Sequence, residues 1–357
     1  MKMNVKCGTA AVSVALVLAA SGCSTKSSDS ETSTQGGVKV GRGVSGDTIQ
    51  LGALTDLTGV FAALGKDITN AQSLYWKDQK VCGKYTVEET VKDHGYDTQK
   101  GIQLYSSIHN DVLAIEQTIG SPINTGLMPQ FDADHMVNIP AAWAQSLTED
   151  PQIAVVGATY EVEMINVLDY LLDEGMIKEG DKIGHIYFEG EYGEGGLAGS
   201  KYFAEQHGMT VVEQQIQSTD ADMTAQVTKL KAEGVKAIAL TVAPFDKLPD
   251  LLEKYQAAHP GDPTLGVVWG TAAADVMRQI LDKACENGDL TPEGVSKAKD
   301  EMGTVETDGM AVPLTFETGQ SPSDASYIFR AADVPGGATA LSDKFVGDDV
   351  AGFMNGG

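Results

Sequence analysis

Basic residues are scarce in this sequence: 25 Lys and Arg stand against 50 Asp and Glu, a formal net charge of −25 over 357 residues. So acidic a surface repels nucleic acid and anionic lipid, which excludes polyanion binding. The ligand's charge stays open, because a pocket can differ in sign from the surface around it. Long apolar runs are also missing. Ala10 to Ala20 (AAVSVALVLAA) extends over only 11 residues, where a membrane-spanning helix needs roughly 20, and no later segment is long and apolar enough to span a bilayer. Catalytic signatures are absent as well. There is no G-x-S-x-G elbow and no G-x-x-x-x-G-K-[ST] loop. The histidines (His94, His109, His135, His185, His207, His259) form no HExxH or comparable pair, so no metal site is expected. His94, at a strand end, reads as a solvated turn residue. Cysteine is sparse too: Cys7, Cys23, Cys82 and Cys285 lie in no CxxC pattern.

What is present begins at the N-terminus. Lys2 and Lys6, the apolar run and the small residues after it make a secretory signal over residues 1–22. Ala20-Ser21-Gly22-Cys23 resembles a bacterial lipobox, in which a peptidase cuts before the cysteine and its thiol carries diacylglycerol. Leu is commoner than Ala at the position of Ala20. Ser24 to Gly37 is Ser/Thr-rich and polar, so residues 23–46 read as a lipidated Cys23 and a flexible tether. Export leaves Cys82 and Cys285 in an oxidising compartment, either bonded or as two separate buried thiols; spacing does not decide between them.

From Asp47 onward, strand and helix alternate. Thr48–Leu54, Tyr85–Val91, Val112–Ile115 and Met136–Ile139 read as strands, with helices at Lys66–Gln79 and Asp97–Ile108. A second series follows: a helix over Glu163–Glu174, a strand at Ile183–Phe188, and a helix over Leu197–His207. Then come a strand at Met209–Gln215, a helix over Met223–Glu233 and a strand at Val235–Val242. This is an α/β chain with parallel sheets covered by helices, and in such sheets ligands bind beyond the carboxyl ends of the strands.

The turns at those ends carry a resemblance. In order they are Leu57-Thr58-Gly59 with Gly65, Gly120-Ser121-Pro122, and Ile139-Pro140-Ala141-Ala142. Tyr192-Gly193-Glu194-Gly195, Leu265-Gly266-Val267-Val268 and the segment Gly309 to Phe316 follow. Together they resemble the type I periplasmic binding proteins, in particular the leucine/isoleucine/valine-binding branch. The resemblance implies two α/β lobes closing on a ligand. Lobe one would be 47–156 plus 247–310, and lobe two 157–246 plus 311–357. Three crossover strands would lie near Val156–Tyr160, Val242–Phe245 and Gly309–Pro313. It also implies the exported solute-binding component of an ABC uptake transporter, working as a monomer with a permease and an ATPase on separate chains. It would sit at the outer face of the cytoplasmic membrane or in the periplasm, with no cofactor and no catalysis. One departure is clear. Ala243-Pro244-Phe245-Asp246 leads straight into a helix at Lys247–Ala258, so about one or two βα units are missing and lobe two is reduced.

Carried over by position, Ser121 and the backbone at Ala141 and Ala142 would meet a ligand carboxylate. Tyr192 would face the ligand from lobe two, and Phe61, Leu64 and Tyr160 would line the rim. Trp143 stands where amino-acid binders have a small hydroxyl residue, and offers an apolar face with one N–H donor. The ligand is then a branched-chain amino acid or, favoured by Trp143, an aromatic or branched organic acid. Plainer readings sit beside these: Trp143 and Tyr192 as packed aromatics supporting turns, and Ser121 as a helix N-cap. Two other functions compete. The same fold serves as an extracellular ligand sensor. Gly193-Glu194-Gly195-Gly196-Leu197-Ala198, with Glu213 20 residues beyond Gly193, also matches the dinucleotide fingerprint of an oxidoreductase. Export argues against that cofactor.

Overall fold

Strand β4 (Thr48–Thr55) is the hub of the first sheet, and its sequence shows why. Ile49, Leu51, Ala53 and Leu54 are all buried, the near-continuous apolar run of a strand covered on both faces. In the computed structural model, which describes residues 32–217, 223–240, 255–259, 263–331 and 338–356, residues 32–357 form one compact unit. The expected signal segment (residues 1–22), Cys23, the expected crossover at Val242–Phe245 and most of the expected helix at Lys247–Ala258 lie outside the described residues.

β4 pairs in parallel with β5 (Thr86–Asp93) on one side and β6 (Ala114–Ile119) on the other, and β6 pairs with β7 (Asn138–Ala141). A two-residue strand, β3 (Val44–Ser45), adds antiparallel to β4. One face is covered by α1 (Ala62–Asp78) and α7 (Gly266–Glu286), whose Ile68, Trp76, Ala273 and Met277 join the sheet's core. The other is covered by α2 (Thr98–Ile108) and α3 (Ser121–Asp134) through Tyr105, Ile123, Leu127 and Phe131. Cys82 and Cys285 are bonded, with Cα atoms 6.2 Å apart, tying the turn before β5 to the end of α7.

The second sheet has β8 (Lys182–Phe188) at its centre, with β9 (Thr210–Ile216) and β10 (Ala237–Ala239) parallel on its two sides. Helices α4 (Tyr160–Asp173) and α5 (Glu191–Gln206) cover one face through Met164, Leu168 and Phe203. Helix α6 (Thr224–Glu233) covers the other through Leu230. A hairpin of β12 (Ser326–Ala331) and β13 (Ala338–Phe345) leads to α9 (Val350–Met354), whose Val350 packs on Val162 and Ile165 of α4.

Four sequence expectations change. The tether ends earlier than residue 46. β1 (Ser33–Gln35) folds back on β2 (Val38–Val40), which adds in parallel to β11 (Asp289–Leu290), because Val40 has a buried place in the first core. Gly120-Ser121-Pro122 closes β6 as expected but also opens α3 directly; Gly126, Pro122 and Pro129 hid that helix in the sequence. Tyr192 to Gly195 form the first turn of α5, not a turn ahead of it, and Leu265 to Val268 begin α7. Neither Val156–Thr159 nor Gly309–Pro313 pairs as a strand: the first link enters α4 directly, and the second hangs on a single bridge between Val305 and Leu314. The short helix α8 (Pro292–Asp300), capped by the Thr291 hydroxyl, closes the first body.

Candidate functional site

The turn after β4 is shaped by one buried carboxylate. Asp56 accepts the N–H groups of Thr58, Gly59 and Phe61, which folds residues 56–61 back and sets the Phe61 ring. At the end of β5, Asp93 accepts from Leu57 N, Gly95 N and Thr58 Oγ1. Burial opposes ionisation there, but these bonds win and hold the Asp93 carboxyl below its usual range. His94 is not a solvated turn residue. It is fully buried, with Nε2 3.2 Å from the Leu54 carbonyl and Nδ1 accepting the Tyr96 N–H at 2.9 Å. Those partners put the proton on Nε2, and burial pushes the imidazole's pKa down. The imidazole fixes Tyr96, whose ring packs 4.8 Å from Phe61.

Beneath Tyr96 lies the start of α3. Gly120 has φ +99°, and a Cβ there would strike the Tyr96 ring at 2.6 Å, so only glycine fits. Gly120, not Ser121, is the N-cap, and the helix start carries no side-chain cap bond. Ser121 is 1% exposed, and its Oγ has no hydrogen-bond partner although the Tyr160 hydroxyl stands beside it. Ala141 and Ala142 are buried alongside, and the Ala141 carbonyl accepts the Gly120 N–H at 3.3 Å.

A row of aromatic rings then runs from one body to the other. Trp269 of α7 meets Trp143 edge-on at 5.6 Å, Trp143 meets Tyr160 at 6.0 Å, and Tyr160 meets Tyr192 at 4.9 Å. Tyr192 ends the row against Phe188 of β8, at 6.0 Å. The Trp143 N–H does not await a ligand as expected: it donates to the Val156 carbonyl at 2.7 Å, and Trp269 Nε1 donates to the same oxygen at 3.1 Å. The Trp143 donor is thus spent within the protein. Tyr160 is no rim residue either. It opens α4 as a buried ring, its N–H bonded to the Trp143 carbonyl. Leu64 packs half-buried against the first core.

Sequence reasoning missed Tyr96, Glu191 and Thr125. Glu191, on the first turn of α5, accepts from Thr125 Oγ1 at 2.7 Å and Ser146 Oγ at 3.3 Å, joining the second body to α3 and to the 3-10 turn Gln145–Glu149. Glu163 on α4 is pushed up to about 8 by burial and by the charge of Glu161, so it stands neutral at pH 7. Glu189, just before α5, accepts from the exposed Gln217 amide at 2.7 Å.

The glycines of α5 answer to packing. A Cβ on Gly193 would lie 2.0 Å from the Phe188 carbonyl, and one on Gly199 would lie 2.5 Å from the Glu161 carbonyl. They let α5 start tightly after β8 and lie close on α4. Glu213, the acid a ribose would need, is paired with Lys201 at 2.9 Å. The dinucleotide reading has no support in this geometry.

The periplasmic binding protein family matches residues 48–247, more than half of the chain, from β4 through Ser121, Trp143 and Tyr192. The chain belongs to that family. As a periplasmic binding protein it is similar to a fatty acid ABC transporter substrate-binding protein from Thermomonospora curvata. The two are 36% identical with a TM-score of 0.82, over 89% of this chain and 97% of that one. Two more distant neighbours share the fold. One is a branched-chain amino acid ABC transporter protein from Thermus thermophilus with bound valine (15% identity, TM-score 0.72, covering 88% of this chain and 100% of that one). The other is a solute-binding protein of an R. palustris ABC transporter in complex with benzoate (16%, 0.69, 84% and 98%). A search of curated proteins finds no match. Among the described residues, no helix of this periplasmic binding protein is long and apolar enough to cross a membrane.

Proposed function

We propose that the protein is the solute-capturing component of an ABC uptake system, and that its ligand is an apolar carboxylic acid held between α3 and α5. The observation that carries this is Ser121 Oγ, buried and without a partner at the start of α3. The first backbone N–H groups of a helix have no intrahelical acceptor and carry partial positive charge, so that end suits a carboxylate. Around it stand Tyr96, Tyr160, Tyr192 and the face of Trp143, which suit an apolar body. The acids nearby favour no ammonium group: Asp56 is spent on three N–H groups, Glu191 on two hydroxyls, and Glu163 stands neutral. The similar protein from Thermomonospora curvata, a fatty acid binder by description, points the same way.

In this reading the ligand docks first on the body carrying Ser121, with Ala141 and Ala142 backing the site. The body carrying Tyr192 then closes, and only contacts made in the closed form shift that equilibrium. Residues 47–156 with 247–310 and residues 157–246 with 311–357 are the two lobes. Residues 1–22 direct export, lipid on Cys23 holds the chain at the outer face of the membrane, and a permease and ATPase on other chains complete the system. The lobes move the ligand without reacting it.

A thermal melt against fatty acids of graded length, benzoate and valine tests the ligand class. A native-state ligand at a hundredfold excess over its Kd stabilises by about 2.7 kcal/mol. We expect the carboxylic acids to raise Tm, and Ser121→Ala to weaken that response about tenfold through the lost hydrogen bond. A shift with valine alone would replace the acid by an amino acid. No shift with any carboxylate would refute the assignment.

A further inference from the structure

Away from the cleft, three elements bring metal-ligating side chains to one point. Asp169 of α4, His207 at the end of α5 and Asp349 at the start of α9 each offer a ligand atom, and these atoms lie within 4.8 Å of one another. His207 Nε2 is 2.8 Å from Asp349 Oδ2, and the Asp349 N–H donates to Asp169 Oδ2 at 3.2 Å. Among the described residues, no other donor reaches the Asp169 carboxylate and no Lys or Arg pairs with Asp169 or Asp349. Yet Asp169 is 5% exposed. Two carboxylates thus share a half-buried place with one imidazole.

The surroundings hold these groups in place. The His207 ring lies 4.5 Å from that of Phe203. The turn before α9 wraps directly over Asp169: a Cβ on Gly347 would fall 2.1 Å from Asp169 Oδ2, and the Gly347 N–H is tied to Asn166 Oδ1 at 2.7 Å. Loop and helix are therefore shaped around this carboxylate, which meets no Lys or Arg among the described residues.

We propose that Asp169, His207 and Asp349 form a site for a divalent cation of the zinc class, completed by water, that clamps α9 to α4 and α5. One imidazole nitrogen and two carboxylates suit Zn²⁺, whose tetrahedral ligands stand about 2.0–2.2 Å from the ion and so about 3.3 Å from one another. The ion takes the place of the proton between His207 and Asp349, and small side-chain rotations draw in Asp169. Ca²⁺ and Mg²⁺, which take oxygen ligands, have no use for the imidazole. This goes beyond solute capture and would hold whatever the cleft binds.

The test uses the full chain, stripped with chelator and then dialysed against Zn²⁺ or Co²⁺. We expect one ion per chain at this site, and a Tm higher by about 4 °C at a hundredfold excess over the Kd. Bound Co²⁺ should show visible d–d absorption without the sulfur charge-transfer band that Cys7 or Cys23 would give. His207→Gln and Asp169→Asn should each lower the stoichiometry by one and abolish the Tm shift, while still melting cooperatively without metal. Ca²⁺ and Mg²⁺ should leave Tm unchanged. No retained Zn²⁺ in the unaltered chain would overturn the proposal and leave a His207–Asp349 hydrogen bond only. So would a Zn²⁺ response that both variants keep, or a cobalt spectrum dominated by thiolate.

Discussion

The two sheets of this protein are built on the same βαβ pattern but are held very differently. The first is covered on both faces by helix pairs, joins two large clusters of buried side chains, and is stapled across by the Cys82–Cys285 bond. The second has three strands among the described residues, with small clusters around Phe203 and Leu230. Large apolar side chains that face solvent gather there: among the described residues, Met176, Met223, Val227, Ile238 and Leu240 belong to the second body, and Val60, in the turn before α1, to the first. The row of rings from Trp269 to Phe188 joins a firm body to a lightly held one.

Truncating a core ring in each body should separate them most strongly. Phe131→Ala in the first and Phe203→Ala in the second each remove a fully buried ring, a change that costs about 3–5 kcal/mol. The comparison predicts different consequences. Phe203→Ala should speed amide exchange in β8 and β9 while β4 and β6 keep their protection, whereas Phe131→Ala should lower protection everywhere. Uniform loss in both variants would break the contrast. Replacing Cys82 and Cys285 by Ser comes next. A disulfide spanning a separation of 203 residues should be worth about 3 kcal/mol, read as a lower denaturant midpoint of the first body.

Acid should act on the second body by a comparable or smaller amount. His185 of β8 is buried, its Nδ1 2.8 Å from Ser200 Oγ, and burial depresses its pKa to about 4. Its neutral form is the one the fold accepts. The stabilisation is therefore complete above the ordinary pKa near 6.5 and is lost as pH falls toward 4, about 3 kcal/mol in all. His185→Gln should flatten that acid limb; an unchanged pH–stability curve would contradict it. The smallest effect concerns the joint. Glu191→Ala removes two partly exposed hydrogen bonds, worth about 1 kcal/mol, and should weaken ligand affinity several-fold with little change in the melt of the empty protein.

The parallel sheets were legible in the sequence because buried strands such as TIQLGAL and amphipathic helices such as the one from Tyr160 leave periodic traces. Helix α3 left none: glycine and two prolines broke its pattern, and tertiary packing of Ile123, Leu127 and Phe131 overrode them. The final strands of the tether were hidden for a related reason, since β1 and β2 exist only where β11 offers an edge. At the candidate site, Ser121 and Tyr192 were named by position, but what their atoms bond to was not legible. Whether a hydroxyl is orphaned, or an indole N–H already engaged, depends on groups such as the Val156 carbonyl that no local pattern names. Tyr96 and Glu191 escaped because each acts through a neighbour on another element.

That carbonyl has a practical consequence. Two of the chain's three tryptophans donate to it, at the link where the chain leaves the first body, while the third, Trp76, is sealed against the buried Glu116. Indole emission responds to hydrogen bonding and local polarity, so a swing of the link would alter two of the three emitters together against a constant background. Should the lobes close on a ligand as proposed, the protein carries an intrinsic optical gauge of that motion, readable without any added label.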